Sequence, residues 1–96
     1  MPISLTPAQR ARLKARAHAL EPVVQVGQAG MSDTVIAEVD RSLTAHGLIK
    51  VRLAGADRET RDELAQTLGT RTQAAVVQQV GRIVTLWRPR PDDEAP

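Results

Sequence analysis

Three stretches with the apolar spacing of a helix alternate with short runs of Val, Ile and Leu along this 96-residue chain, and only two residues separate the last two runs. That order restricts the fold more than any other feature, because helices joining strands call for parallel pairing and a two-residue link calls for an antiparallel hairpin. The first helix is expected from Thr6, a good N-cap, through Pro7, which suits the first helical position, to Leu20. Leu13, Ala17 and Leu20 form its burying stripe. Pro22 ends it, and Val23 to Val26 reads as a strand. Ser32 caps a second helix with Val35, Ile36, Val39 and Leu43 on its apolar face, closed at His46 and Gly47. Leu48 to Leu53 is a strand with Ile49, Val51 and Leu53 facing one way and Lys50 and Arg52 the other. Asp57 caps a third helix carrying Leu64, Ala65 and Leu68, which Gly69 is expected to stop.

Thr72 to Val80 and Ile83 to Arg88 complete the pattern as two strands, with Gly81-Arg82 as a type II′ turn. The order is α-β-α-β-α-β-β, an α/β fold with an open four-stranded mixed sheet packed with helices. Pairing Val80 with Ile83 puts Val77 opposite Leu86 and Val76 opposite Trp87. One face of the hairpin then holds Ala75, Val77, Val84 and Leu86. The other holds Val76, Val80, Ile83 and Trp87, interrupted by Gln78 and Thr85, and needs cover from a helix or a partner.

The length allows one domain, expected over residues 1–89, with residues 90–96 a disordered acidic tail. There are no cysteines, which removes disulfides, thiolate catalysis and Cys-based metal sites, and suits a reducing compartment. No apolar run approaches the roughly 18 residues of a membrane span, and Met1 to Leu5 does not read as a signal peptide. The expectation is a cytoplasmic protein without membrane contact.

Charge is unevenly distributed. Residues 1–88 hold 12 of the 13 Lys and Arg but 8 of the 11 acids, and Arg10, Arg12, Lys14 and Arg16 fall in the first twenty residues with no acid among them. A one-sided basic segment points to an anionic partner, nucleic acid or a membrane surface, although a run of charges is as often only a solvated face. There is no Phe or Tyr, and Trp87 is the one aromatic residue. That counts against a module stacking successive bases on aromatic platforms, so binding of nucleic acid must lean on phosphates.

Gly27-Gln28-Ala29-Gly30 is a glycine-rich loop between a strand and a helix. Glycines at this spacing permit a tight turn and close backbone approach to a ligand, and the start of the next helix adds partial positive charge. Spacing alone is weak support, since average glycine usage produces such a pair by chance in roughly every second or third chain of this length. No Gly-Lys-Ser/Thr follows, so it is not a nucleotide-triphosphate loop. His18 and His46 read as capping or packing residues without neighbouring metal ligands. Ser4, Ser32 and Ser42 show no nucleophile-base-orienter set, and Asp57, Glu59, Asp62 and Glu63 cap and solvate the third helix. The chain is not expected to be an enzyme, or to hold a metal or cofactor.

Leu13-Lys14, Ala17-His18, Leu20 and Pro22-Val23-Val24, followed by Gly27-Gln28-Ala29-Gly30, resemble the opening of the YhbY family, the bacterial stand-alone form of the CRM domain. Leu48-Ile49-Lys50-Val51-Arg52 and Asp57-Arg58-Glu59-Thr60 resemble its middle, and Gly81-Arg82 with Leu86-Trp87-Arg88-Pro89 its closing hairpin. The resemblance implies a fold similar to the C-terminal domain of translation initiation factor 3. It also implies RNA binding through the glycine loop and nearby basic surface, and association with ribosomal RNA of the precursor large ribosomal subunit. Gln28-Ala29 departs mildly from the family pattern, lacking the lysine or asparagine often found inside the loop.

The candidate RNA contacts are Gly27, Gln28, Ala29, Gly30 and Met31 in the loop, Arg10, Arg12, Lys14, Arg16 and His18 on the first helix, and Lys50, Arg52 and Arg82. The leading expectation is a monomeric, non-enzymatic RNA-binding assembly factor that reads shape more than bases. The alternative is a protein-interaction module or translation regulator docking on ribosomal protein through the Trp87 face.

Overall fold

A computed structural model describes residues 4–27, 32–54 and 57–89. The elements run α1 (Pro7–Ala17), β1 (Pro22–Val26), α2 (Asp33–His46), β2 (Leu48–Leu53), α3 (Arg58–Thr72), β3 (Ala75–Val80) and β4 (Ile83–Trp87). This is the expected α-β-α-β-α-β-β order. The expected tail, residues 90–96, lies outside the described residues.

Each helix starts where a side chain satisfies its free N–H groups. Thr6 and Gln9 form a reciprocal capping box: the Gln9 N–H donates to Thr6 Oγ1 at 3.1 Å, and the Thr6 N–H donates to Gln9 Oε1 at 2.9 Å. Ser32 Oγ accepts from the Val35 N–H at 3.2 Å, and Asp57 Oδ1 from the Thr60 N–H at 2.7 Å. The bond from the Thr60 backbone, joined by one from its hydroxyl, holds the Asp57 carboxyl below its usual value. Gly47, at φ 77°, ends α2 and donates to the Leu43 carbonyl at 2.8 Å.

Two helix ends differ from expectation. α1 stops at Ala17, and Leu20 is 36% exposed instead of completing the buried stripe. Pro22 disfavours helical geometry at Glu21, and the chain turns through His18 and Ala19 to enter β1. Gly69 does not stop α3. It is buried inside the helix, which continues to Thr72 and ends at Gln73 in the left-handed conformation, φ 57° and ψ 38°. A Cβ on Gly69 would lie 3.0 Å from Val76 Cγ2 and 3.1 Å from the Ala74 carbonyl oxygen. Glycine here permits close passage of β3, and so β3 begins at Ala75 instead of Thr72.

The sheet order is β1-β2-β4-β3. β1 and β2, joined through α2, are parallel, with Val24 opposite Val51 and Val26 opposite Leu53. β4 lies antiparallel between β2 and β3. Among the turn residues only Gly81 takes a positive φ, 58°, as a type II′ turn requires.

Val80 does pair with Ile83, but the register shifts between Val76 and Gln78, so that Val76 faces Leu86 and Ala75 faces Trp87. The expected pairs Val77–Leu86 and Val76–Trp87 are therefore wrong. One extra residue bulges the strand and exchanges the two valines: Val76 packs with Leu86 in the larger core, and Val77 with Trp87 in the smaller. Arg10 holds the bulge, its Nη1 donating to the Val76 carbonyl at 2.9 Å and also to that of Val77.

The cores occupy opposite faces of the sheet. Val24, Val26, Ile49, Val51, Leu53, Val84 and Leu86 are buried under Val39 and Leu43 of α2 and Ala65 and Leu68 of α3. On the other face, Leu13 and Ala17 of α1 pack on Leu48 and Val77, flanked by Leu5 and Trp87. The cover needed over Trp87 thus comes from the chain's own first helix.

Candidate nucleic-acid interface

α1 covers only part of its face. Its inward residues meet Leu48, Val77 and Trp87, while Lys50, Arg52, Ile83, Thr85, Gln78 and Val80 continue the same face beyond it. His18, at the end of α1, borders a depression of about 290 Å³ whose other walls are Lys50, Gln78, Val80, Ile83 and Thr85. None of these is an acid.

Leu13 and Ala17 face the sheet, so the basic residues of α1 divide between two flanks. Lys14 and His18, four residues apart, share one flank, and His18 borders the bare half of the sheet. Arg12 and Arg16 share the other, where Arg16 lines a hollow with Pro22, His46 and Leu48 at the opposite end of β1 and β2. Arg10 is half-buried, with Nη1 committed to the β3 bulge. The helix charges are therefore one bulge clamp and two separate pairs.

Lys50 is half-buried and Arg52 exposed, both on the α1 side of β2. The Leu53 N–H donates to the Arg82 carbonyl at 2.6 Å, and the Ala54 N–H to that of Val26 at 3.0 Å. Those bonds gather the ends of β1 and β2 and the hairpin turn at one edge of the sheet, bringing Gly27 and Arg82 to the edge that bounds the bare half. Gly27 is exposed, has no positive φ, and a Cβ built on it would meet nothing within 4 Å. Among the described residues, nothing demands glycine there. Gln28, Ala29, Gly30 and Met31 lie outside the described residues.

Other conspicuous cations are occupied elsewhere. Arg88 Nη1 donates to Asp40 Oδ1 at 2.6 Å and to the Thr72 carbonyl at 2.8 Å, while Nη2 donates to the Asp40 carbonyl at 3.0 Å and Thr44 Oγ1 at 2.9 Å. With its own N–H on the Gly47 carbonyl, this residue ties the end of β4 to α2 and α3. Arg71 pairs with Asp33 at 3.3 Å in the open, where such a pair contributes little. Among the described residues no group of His, Cys, Asp or Glu could hold a metal ion, and no helix is long and apolar enough to cross a membrane.

Val80, Ile83, Gln78 and Thr85 were expected on one hairpin face, offered there as a surface for a helix or a protein partner and not as RNA contacts. The available signal was their two-residue alternation beside Lys50. Arg58 and Arg61, which are not among the candidate contacts, line a further hollow with Asp62, Gln79 and Gly81.

The model of the CRS1 / YhbY (CRM) domain matches residues 5–88. The chain belongs to that family. Within it, an RNA-binding protein of Haemophilus influenzae is 44% identical over 86 residues, covering 90% of this chain and 87% of that protein. The "Probable RNA-binding protein YqeI" of Bacillus subtilis is 32% identical over 84 residues, covering 88% of each. The solution structure of a hypothetical protein of Staphylococcus aureus superimposes with a TM-score of 0.80 at 32% identity, again covering 88% of each chain. Arg88 of the closing Trp87-Arg88-Pro89 of this CRM domain is the clasp between β4, α2 and α3, which gives that segment a structural reason.

Proposed function

We propose that this CRM domain binds RNA on the half of the sheet that α1 leaves bare. His18, Lys50 and Arg52 line the surface, with Lys14 on the same flank of α1 as His18 and with Gly27 and Arg82 at its edge. The carrying observation is the coincidence of cations with missing cover: the bare half-face bears positive side chains, and no acid lines its depression. Polyanion binding favours such a surface, because each phosphate neutralised releases a counterion. The names of the Haemophilus and Bacillus relatives agree with this reading.

The target we propose is ribosomal RNA of the precursor large subunit, bound without catalysis by a monomer in the cytoplasm. Arg12 and Arg16 would meet a second stretch of backbone, and Arg10 serves the fold. The loop acts by backbone approach, for which an exposed Gly27 is suited.

Crosslinking followed by sequencing of the bound RNA tests the target, with precursor large-subunit RNA as the expected result. Gln28→Asp combined with Ala29→Asp tests the loop. Two carboxylates there should repel phosphate and cost about tenfold in RNA affinity, or about 1.4 kcal/mol, with an unchanged circular dichroism spectrum. A folded double variant binding like wild type would remove the loop from the interface.

A further inference from the structure

The depression bordered by His18 and Lys50 has a composition that phosphate binding alone does not explain. Its floor includes two aliphatic side chains, Val80 and Ile83, which pair across the β3–β4 ladder. Val80 is 65% exposed, among the most exposed large apolar side chains described. Beside them Gln78, half-buried, offers an amide that both donates and accepts, while its cross-strand partner Thr85 is 1% exposed and closed off from a ligand. Lys50 stands opposite Thr85 on the neighbouring strand, and His18 closes the rim from α1. An apolar platform with a few polar groups beside it and cations at the margin is a concave site for a flat, mostly apolar group attached to an anion.

We infer that this depression seats one unpaired nucleotide of the bound RNA. The base lies on Val80 and Ile83, its edge meets Gln78, and its phosphate meets Lys50 and His18. The inference rests on the RNA-binding reading and adds to it a preference for single-stranded RNA, since bases inside an A-form duplex cannot reach such a platform. It also gives this aromatic-poor surface a way to grip a base: aliphatic contact replaces aromatic stacking at one position. Charge favours this occupant, because a peptide with basic side chains would meet Lys50 with no acid in the lining to receive it.

The test compares a short unstructured RNA with the same RNA annealed to its complement, each titrated against wild type and against Gln78→Ala with Val80→Ser. Both substitutions leave the charge unchanged, so phosphate binding should persist. Loss of one hydrogen bond and part of an apolar contact should weaken single-strand binding about fivefold, leaving duplex binding and the salt dependence of both as in wild type. Circular dichroism on the same preparations checks that the variant is folded, and Val80→Ser alone, at an exposed position, gives a milder second variant expected to weaken single-strand binding in the same direction. If wild type and both variants bind the single strand equally, the base site is wrong while RNA binding stands. If wild type binds neither RNA form in a salt-sensitive way, the RNA-binding reading falls and this inference with it. Binding of polyglutamate together with no RNA binding would overturn both in favour of an acidic protein partner.

Discussion

On the α2–α3 face of the sheet Val26, Ile49, Val51, Leu53, Val84 and Leu86 are at most 1% exposed, whereas on the α1 face Val23 is 53% and Val80 65% exposed. The same strands supply both faces, so the difference comes from what covers them. Helices of 14 and 15 residues close the first, and one of 11 residues crosses the second. A helix advances about 1.5 Å per residue, and α1 is spent on the Leu48, Val77 and Trp87 end of its face. Stability and recognition are thereby separated: one face is closed and apolar, and the other keeps a bare strip where lysine, arginine and glutamine alternate with aliphatic residues.

The widest expected contrast is between Leu86→Ala and Val80→Ala. Leu86 is fully buried, and its truncation should cost about 3 kcal/mol in urea unfolding through lost transfer energy and a cavity. Val80→Ala should stay within about 0.5 kcal/mol of wild type. Comparable losses would mean that the α1 face carries as much of the fold as the other.

Arg88→Lys should be the next largest. It keeps the charge but cannot reproduce the fork on Asp40, Thr44 and Thr72. With the arginine 19% exposed, the loss should be about 2 kcal/mol, read in the same unfolding experiment. A neutral result would show that α2 and α3 are held by their apolar contacts alone.

Gly69→Ala is a smaller and sharper test. Alanine gains about 1 kcal/mol of helix propensity, but the new methyl group meets the Ala74 carbonyl and Val76. Overpacking against backbone commonly costs 1–3 kcal/mol, so net destabilisation of about 1 kcal/mol is expected. A more stable variant would mean that β3 can move away from α3 freely.

Much of the fold was legible because its signals are local. Thr6, Ser32 and Asp57 cap the three helices as expected, and the bounds Leu48 to Leu53 follow from a clean two-residue alternation. The misplaced features depend on partners distant in sequence. Gly69 looks like a helix stop, and only the passage of Ala74 and Val76 reveals it as a packing residue. The bulge at Val77 cannot be read from β3 itself, since what stabilises it is Arg10, 67 positions earlier. For the same reason the basic run in α1 read as one surface, although the helix divides it. Lys50 and Arg52 were legible as a same-face pair, but how much of that face stays bare depends on where α1 lies, which no local pattern encodes.

The account's central claim is that RNA meets the bare half of the α1 face. Backbone amide chemical shifts, followed during titration with a short unstructured RNA, test it residue by residue. The largest changes are expected at Lys50, Arg52, Gln78, Val80, Arg82, Ile83 and Gly27, with little change along the outer surfaces of α2 and α3, and they should diminish together as salt is raised. Changes concentrated on α2 and α3, with β2 and the hairpin unmoved, would contradict it.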